Sequence, residues 1–369
     1  MAEHRELRVA LKEARRWVVK IGSRSIIGEP GAGMRFDRLA EEISMLRGGG
    51  REVVVVSSGA VALGCQRLGL HPRPRALPRL QAAAAAGQSM LMDAYEAAFG
   101  RFRITVGQVL LNHSDVEDRD RFLNARAALD ALLELGTVPI VNGNDTVAVD
   151  ETRFGDNDQL AAIVATLIGA DLLVLMTNVE GLLDEAGERV PLVQDLKTVE
   201  HLVRPEKSAE GLGGMESKLQ SAFRATKRGV PVVLADARDP EVLLRVAGGD
   251  DVGTLFLPQG APLPSRKHWI AYALKPRGSI VIDAGALAAI GEGKKSLLPA
   301  GILGVRGDFD PGDAVRILGP SGDEVARGLV RYGLRDVARL AGGRSHEIEA
   351  RTGHHAGDVI VHRDDLVMI

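Results

Sequence analysis

A single cysteine, Cys65, among 369 residues excludes an intrachain disulfide and any cysteine-rich metal site. Charge of one sign is also missing. The 46 basic residues are balanced by 49 acidic ones, net −3, so no global field draws the chain to nucleic acid or an anionic membrane. No apolar run reaches the roughly eighteen residues that a membrane span requires. The stretch from Met1 to Arg16 carries Glu3, Glu6 and Glu13, which leaves no apolar signal core and is too acidic for a transit peptide. Together these absences predict a cytoplasmic protein with a short N-terminal extension. A length of 369 residues at 45% hydrophobic content allows roughly two or three domains with a sizeable core.

What is present is a regular alternation of strands and helices. Trp17–Ile21 reads as a first, central strand, and Glu52–Ser57, with four consecutive valines, as a strand covered on both faces. Further strands are expected at 104–111, 137–141, 171–177, 232–234 and 252–256. Helices are expected at 37–46 with Asp37 as cap, and at 60–68, 80–99, 119–135, 159–169 and 219–228. Such alternation predicts a doubly wound, mainly parallel sheet between two helical layers. The five-alanine run within 80–99 fits close packing against a neighbour, either in the same domain or across a subunit interface. Four prolines fall within 258–276, and residues 261–275 there read as a linker. Beyond them, 276–369 turns to short strands with frequent turns, the texture of a small β-barrel-like domain.

Two nucleotide-binding loops are absent as well. No Gly-x-Gly-x-x-Gly follows the first strand, and Gly291–Ser296 has a lysine where a Walker A loop needs Ser or Thr. The chemistry-bearing residues sit elsewhere. Lys20 lies in the central strand, where a lysine is almost never fully buried without a partner, so it either snorkels to the strand end or points at an anion. Ser57-Ser58-Gly59-Ala60 joins a strand to a helix, a place for an anion or for a plain serine cap. Asn142–Asp158 is a polar loop at the carboxyl end of a strand, read either as a ligand site or as turn and N-cap chemistry. Gly211-Leu212-Gly213-Gly214-Met215 precedes a helix in which Lys218 leans back toward those glycines. Cys65 fits a small core residue, and His354-His355 an exposed turn without a third metal ligand.

Taken in order, Val-Val-Lys20-Ile-Gly22, Ser57-Ser-Gly-Ala60, Arg119–Ala125, Asn142-x-Asn-Asp145, Gly155-Asp-Asn-Asp158, Gly213-Gly-Met215 with Lys218, Gly253-Thr-Leu-Phe256, Ser296–Gly301 and His362-Arg-Asp-Asp365 resemble the glutamate 5-kinase family in its long form. The resemblance implies a three-layer amino-acid-kinase fold over 17–260 followed by a PUA domain over 276–369. It implies ATP and Mg²⁺ as co-substrates, with Mg²⁺ held mainly by the ATP phosphates, and phosphoryl transfer to the side-chain carboxylate of L-glutamate. On this pattern Lys20 and Lys218 contact the transferring phosphoryl group, and Asp158 orients both. Ser58, Asp145 and Asn157 bind glutamate. The nucleotide falls to Lys20, Thr177, Asn178, Gly211, Leu212, Gly213, Gly214, Met215 and Lys218. Feedback inhibition by proline and a homo-oligomer are further expectations, and Thr146–Phe154 is expected to act as a flap or inhibitor-sensing segment. Gly143, Arg153, Asn178 and Leu212 depart from the family pattern.

The physical chemistry is consistent with this. A carboxylate nucleophile is already ionised at neutral pH and needs no general base, in keeping with the lack of an evident His-Asp pair. Its repulsion from polyphosphate, roughly 4 kcal/mol per charge pair at about 4 Å and an effective dielectric of about 20, calls for cations. Another amino-acid kinase is the rival within the enzyme class. RNA binding by residues 276–369 is the rival outside it, and the acidic residues interleaved among its arginines weigh against a phosphate-tracking patch.

Overall fold

A computed structural model describes residues 2–23, 32–112, 115–116, 118–147, 157–202, 214–259, 270, 274, 276–293 and 295–369. The chain divides into two compact units, one spanning Met1–Val116 and Asp120–Pro262, the other Glu117–Arg119 and Leu263–Ile369.

The first unit is organised on an eight-stranded sheet. Its elements are helix α1 (Ala2–Val9), β1 (Arg16–Ile21), α2 (Ala32–Gly48), β2 (Glu52–Ser57), α3 (Ala60–Arg67), α4 (Leu77–Gly100), β3 (Val106–Leu111), α5 (Arg119–Glu134), β4 (Val138–Gly143), α6 (Asn157–Leu167), β5 (Leu172–Thr177), β6 (Leu192–Val193), α7 (Met215–Thr226), β7 (Val232–Asp236), α8 (Val242–Ala247) and β8 (Thr254–Phe256). The strand order is β3-β4-β2-β1-β5-β7-β8-β6, parallel except between β7 and β8. The central place of β1 follows from its burial between β2 and β5.

Strand alternation assigns the faces. Trp17, Val19 and Ile21 join Phe36, Leu39 and Ile43 of α2 and Leu91, Tyr95 and Phe99 of α4 in one core. Lys20 therefore points to the other face, where α6 packs on β1. Asp37 does not cap α2. Buried Phe36 extends the apolar stripe upstream, so the helix already runs from Ala32, and the Asp37 carboxylate pairs with Arg101 at 2.7 Å.

The alanine-rich helix α4 packs within this unit, against α3. A Cβ on Gly64 would stand 1.7 Å from the Ala83 carbonyl oxygen, and one on Gly87 would stand 1.8 Å from that of Ala60. Only glycine permits so close an approach of two helix backbones.

The N-terminal extension has a structural role. Arg8 is 2% exposed and donates to the carbonyl oxygens of Val252 at 2.7 Å, Pro191 at 2.8 Å, Gly253 at 3.1 Å and Asp250 at 3.2 Å. It ties the turn before β8 to the start of β6. Arg8→Met leaves those carbonyls without their donor and is expected to destabilise this unit by roughly 3 kcal/mol. Denaturant unfolding of the full chain measures it, and an unchanged midpoint would mean that the contacts are idle.

The second unit holds β9 (Gly278–Ile282), α9 (Ala284–Gly291), β10 (Ile302–Gly307), β11 (Ala314–Leu318), β12 (Glu324–Val330), α10 (Leu334–Leu340), α11 (Ile348–Thr352) and β13 (Val361–Met368). Its five strands run in the order β10-β9-β11-β12-β13 over a core that includes Ile280, Ile317, Tyr332, Val337 and Leu340. Short strands with frequent turns are expected through 276–369, yet β13 is continuous from Val361 to Met368. As the last strand of the order, it stays extended through Arg363 and Asp364 while their side chains remain in solvent.

Candidate functional site

Three charged side chains converge beneath the carboxyl end of β1. Asp158, in the first turn of α6, is completely buried. Its Oδ1 lies 2.5 Å from Lys20 Nζ and its Oδ2 2.7 Å from Lys218 Nζ. Lys20 is 3% exposed and Lys218 9%, so Lys20 does not snorkel: its partner is inside. The ammonium stands close over the strand end, 3.9 Å from where a Gly22 Cβ would be. Lys218 reaches the cluster from the first turn of α7, whose N-cap, Gly214, offers no side chain to the free N–H groups. One carboxylate between two ammonium groups leaves one net positive charge, placed at the positive ends of α6 and α7. A buried cationic group of this kind favours a polyanion.

The neighbouring residue faces the other way. Asn157 Nδ2 donates to Ser57 O at 2.6 Å, to Asn142 Oδ1 at 2.9 Å and to Ser58 Oγ at 3.0 Å. Asn142 Nδ2 in turn donates to Gln88 Oε1 at 2.9 Å. Below them the Ser57 hydroxyl meets Tyr95 OH at 2.8 Å. Burial pushes the Tyr95 phenol upward from its ordinary range, outweighing the hydrogen bond with Ser57, so it stays neutral and anchors the end of β2. The turn from β2 into α3 then passes through Gly59 at φ +119°, a conformation side chains disfavour, and α3 begins with no side-chain cap. Open N–H groups, rather than a serine cap, face the site there.

Of the residues singled out in the sequence, Lys20, Asp158 and Lys218 form one cluster, and Ser58 and Asn157 a second beside it. Asp145 borders the second, since its Oδ1 and Asn157 Oδ1 lie 3.8 and 3.7 Å from where a Gly143 Cβ would be. Thr177 is buried at the end of β5 and Asn178 is exposed just after it. Gly214 and Met215 open α7. Gly211, Leu212 and Gly213 lie outside the described residues, as do residues 148–154 of the expected flap, Arg153 among them. Cys65 is buried in the small apolar cluster between α3 and α4. His354 and His355 are exposed, and no group of metal-ligating side chains occurs among the described residues.

Gln88, Tyr95 and the Asp236–Arg238 pair carry no motif. Gln88 and Tyr95 are seven residues apart on one face of α4, and a polar pair at that spacing on an otherwise small, apolar face is the one signal they leave. Asp236 and Arg238 stand at the end of β7 beside Thr177, joined by two short contacts of 3.0 and 2.7 Å. Burial works to raise the Asp236 carboxyl, but the hydrogen bonds from Arg238 prevail and hold it low.

Residues 15–236 match the model of the amino acid kinase family, and residues 278–352 that of the PUA domain. A glutamate 5-kinase of Citrifermentans bemidjiense is 48% identical, over 97% of this chain and 99% of its own length. One of Myxococcus xanthus is 46% identical, over 98% of both chains. Among solved structures, a Giardia carbamate kinase aligns with a TM-score of 0.50 at 17% identity, over 67% of this chain and 99% of its own, a likeness of fold. No helix among the described residues is long and apolar enough to cross a membrane. The chain belongs to the amino acid kinase family and, within it, to the glutamate 5-kinases that carry a C-terminal PUA domain.

Proposed function

We propose that the protein transfers the γ-phosphoryl group of ATP to the side-chain carboxylate of L-glutamate, forming L-glutamyl 5-phosphate. The observation that carries this reading is the buried Lys20–Asp158–Lys218 cluster lying directly beside the Asn157–Ser58 network. Cations for a phosphoryl group thus adjoin polar groups for an amino acid, with no general base between them among the described residues. None is needed, because the nucleophile is an ionised carboxylate. As its oxygen attacks the γ-phosphorus and the bond to ADP breaks, Lys20 and Lys218 offset the charge on the equatorial and bridging oxygens. Asp158 keeps both ammonium groups in place. The α7 N-terminus adds N–H donors for the phosphates.

Mg²⁺, carried by the nucleotide, would neutralise phosphate charge. The donor set fits that mode of delivery, since Asp158, the buried carboxylate at the centre among the described residues, is already engaged by two lysines. The reading places catalysis in residues 17–260, with nucleotide contacts at Thr177, Asn178 and 211–215, glutamate contacts at Ser58, Asp145 and Asn157, and the PUA domain at 276–369. Cytoplasmic location, self-association and inhibition by proline belong to it as well. The test is glutamate- and ATP-dependent formation of a hydroxamate, which traps an acyl phosphate. Hydroxamate from glutamate but not from acetylglutamate, aspartate or carbamate is expected, and none under saturating glutamate would overturn the reading. Proline is expected to suppress the signal, with added glutamate restoring it.

A further inference from the structure

Gln88 sits on α4 with its amide in the network around Asn157, and one half of that amide is unused. Its orientation is set by the backbone. The Gly143 N–H, which can only donate, points at Asn142 Oδ1 at 2.8 Å. Asn157 Nδ2, itself fixed by the Ser57 carbonyl, donates to the same oxygen at 2.9 Å. Asn142 must therefore present its nitrogen to Gln88, and Gln88 must accept with Oε1. That leaves Gln88 Nε2 buried with no hydrogen-bond partner among the described residues. A buried donor without an acceptor is costly, and at a site it marks a place where a ligand supplies the acceptor.

The surroundings say which acceptor. Gly87 packs its Cα against the Ala60 carbonyl, so Gln88 follows a contact with the first turn of α3, whose N–H groups have no side-chain cap. Donors gather on this side. Acceptors gather around Gly143, where Asn157 Oδ1 and Asp145 Oδ1 approach the same point. An amino acid head, with an ammonium that donates and a carboxylate that accepts, is the complement. Asn157 and Asp158 are consecutive, yet Asp158 turns to the lysines and Asn157 to Asn142, so the Gln88 side lies away from the phosphoryl cluster.

We propose that Gln88 Nε2 donates to the α-carboxylate of the acceptor amino acid and selects for it, a specificity-determining residue of the reaction. The inference rests on the reading of this site as a glutamate site. Gln88→Glu keeps an oxygen for Asn142 and replaces the free donor by a carboxylate oxygen. Gln88→Met removes both groups and serves as the second variant.

In the full chain, KM for glutamate, KM for ATP and kcat are measured by hydroxamate formation, together with competitive inhibition by L-isoglutamine, whose α-carboxyl is an amide. The expected result for Gln88→Glu is a glutamate KM raised at least about 10-fold with the ATP KM held within about twofold. Its preference for glutamate over the α-amide should fall about 10-fold or more, because a carboxylate at 88 accepts from the amide NH₂. Gln88→Met should raise the glutamate KM with a smaller change in preference. A purely structural role would lower stability and move both KM values while leaving the preference intact, and that result overturns the proposal. So does an unchanged glutamate KM, or failure of both variants to fold. If wild type itself forms no glutamyl hydroxamate, the glutamate reading falls and this one with it. If wild type is active and the variants keep their preference, Gln88 alone is reassigned.

Discussion

Lys218→Ala and Lys20→Ala are each expected to lower kcat by at least about 10²-fold, the loss that follows removal of one charged donor aimed at a transition state. The geometry adds a condition on how they fail. Each lysine occupies one oxygen of a fully buried Asp158, so either substitution strips half the pairing from that carboxylate. Asp158→Asn is the counterpart, leaving two buried ammonium groups without their counter-ion. Breaking a buried ion pair from one side costs about 3–5 kcal/mol, so Asp158→Asn should lose stability as well as activity. The phosphates of bound nucleotide then take over the missing negative charge. ATP is accordingly expected to raise the thermal midpoint of Asp158→Asn more than that of wild type. Steady-state kinetics and thermal unfolding with and without ATP measure both effects. Near wild-type kcat in either lysine variant would remove that lysine from the transfer step.

Gly87→Ala is expected to damage the fold severely. The new Cβ would stand 1.8 Å from the Ala60 carbonyl oxygen and 2.4 Å from the Gly64 nitrogen, both backbone atoms that no rotamer change can move. The helices α3 and α4 must separate. Overpacking of this kind costs about 3 kcal/mol or more, which for a unit of this size lowers the midpoint by roughly 6–12 °C. Because α3 starts at the Ser58–Gly59 turn, its displacement also moves Ser58 relative to Asn157, and glutamate KM should rise in whatever fraction remains folded. Gly69→Ala, at a turn where nothing crowds the new Cβ, is the control: strain from φ +64° is expected there without any change in KM. Equal KM values in Gly87→Ala and wild type would detach the helix contact from the site.

Much of the architecture was legible because the signals are local. Four β-branched valines in a row without alternation favour a strand covered on both faces, and β2 spans Glu52–Ser57 as expected. Helices α5, α6 and α7 start within a few residues of their expected places for the same reason: apolar spacing and loop composition lie within one turn of each boundary. Asp37 shows the limit, since a cap residue looks the same whether the stripe begins after it or before it, and buried Phe36 decided the matter.

The candidate site divides along a similar line. That a lysine in a central strand needs a partner is dictated by sequence and solvation alone. Which partner is not, because Asp158 reaches Lys20 only once α6 has packed on β1, and residues alone left snorkelling open. The glycine before α3 and the polar ends of β4 and β5 were equally visible, as composition at strand ends. Gln88 was not. It is an ordinary residue inside an alanine-rich helix until the Gly143 N–H orients Asn142 and leaves one nitrogen unsatisfied. Arg8 likewise reads as one more charge in a polar extension, yet it is buried because four carbonyl oxygens from distant turns converge on it. Sequence by itself determined the periodicity of the elements, the fold class and the residue types able to hold a phosphate and an amino acid. Tertiary structure alone decided which polar atoms are paired and which are left waiting, because hydrogen bonds between distant elements exist only where packing has already brought them together.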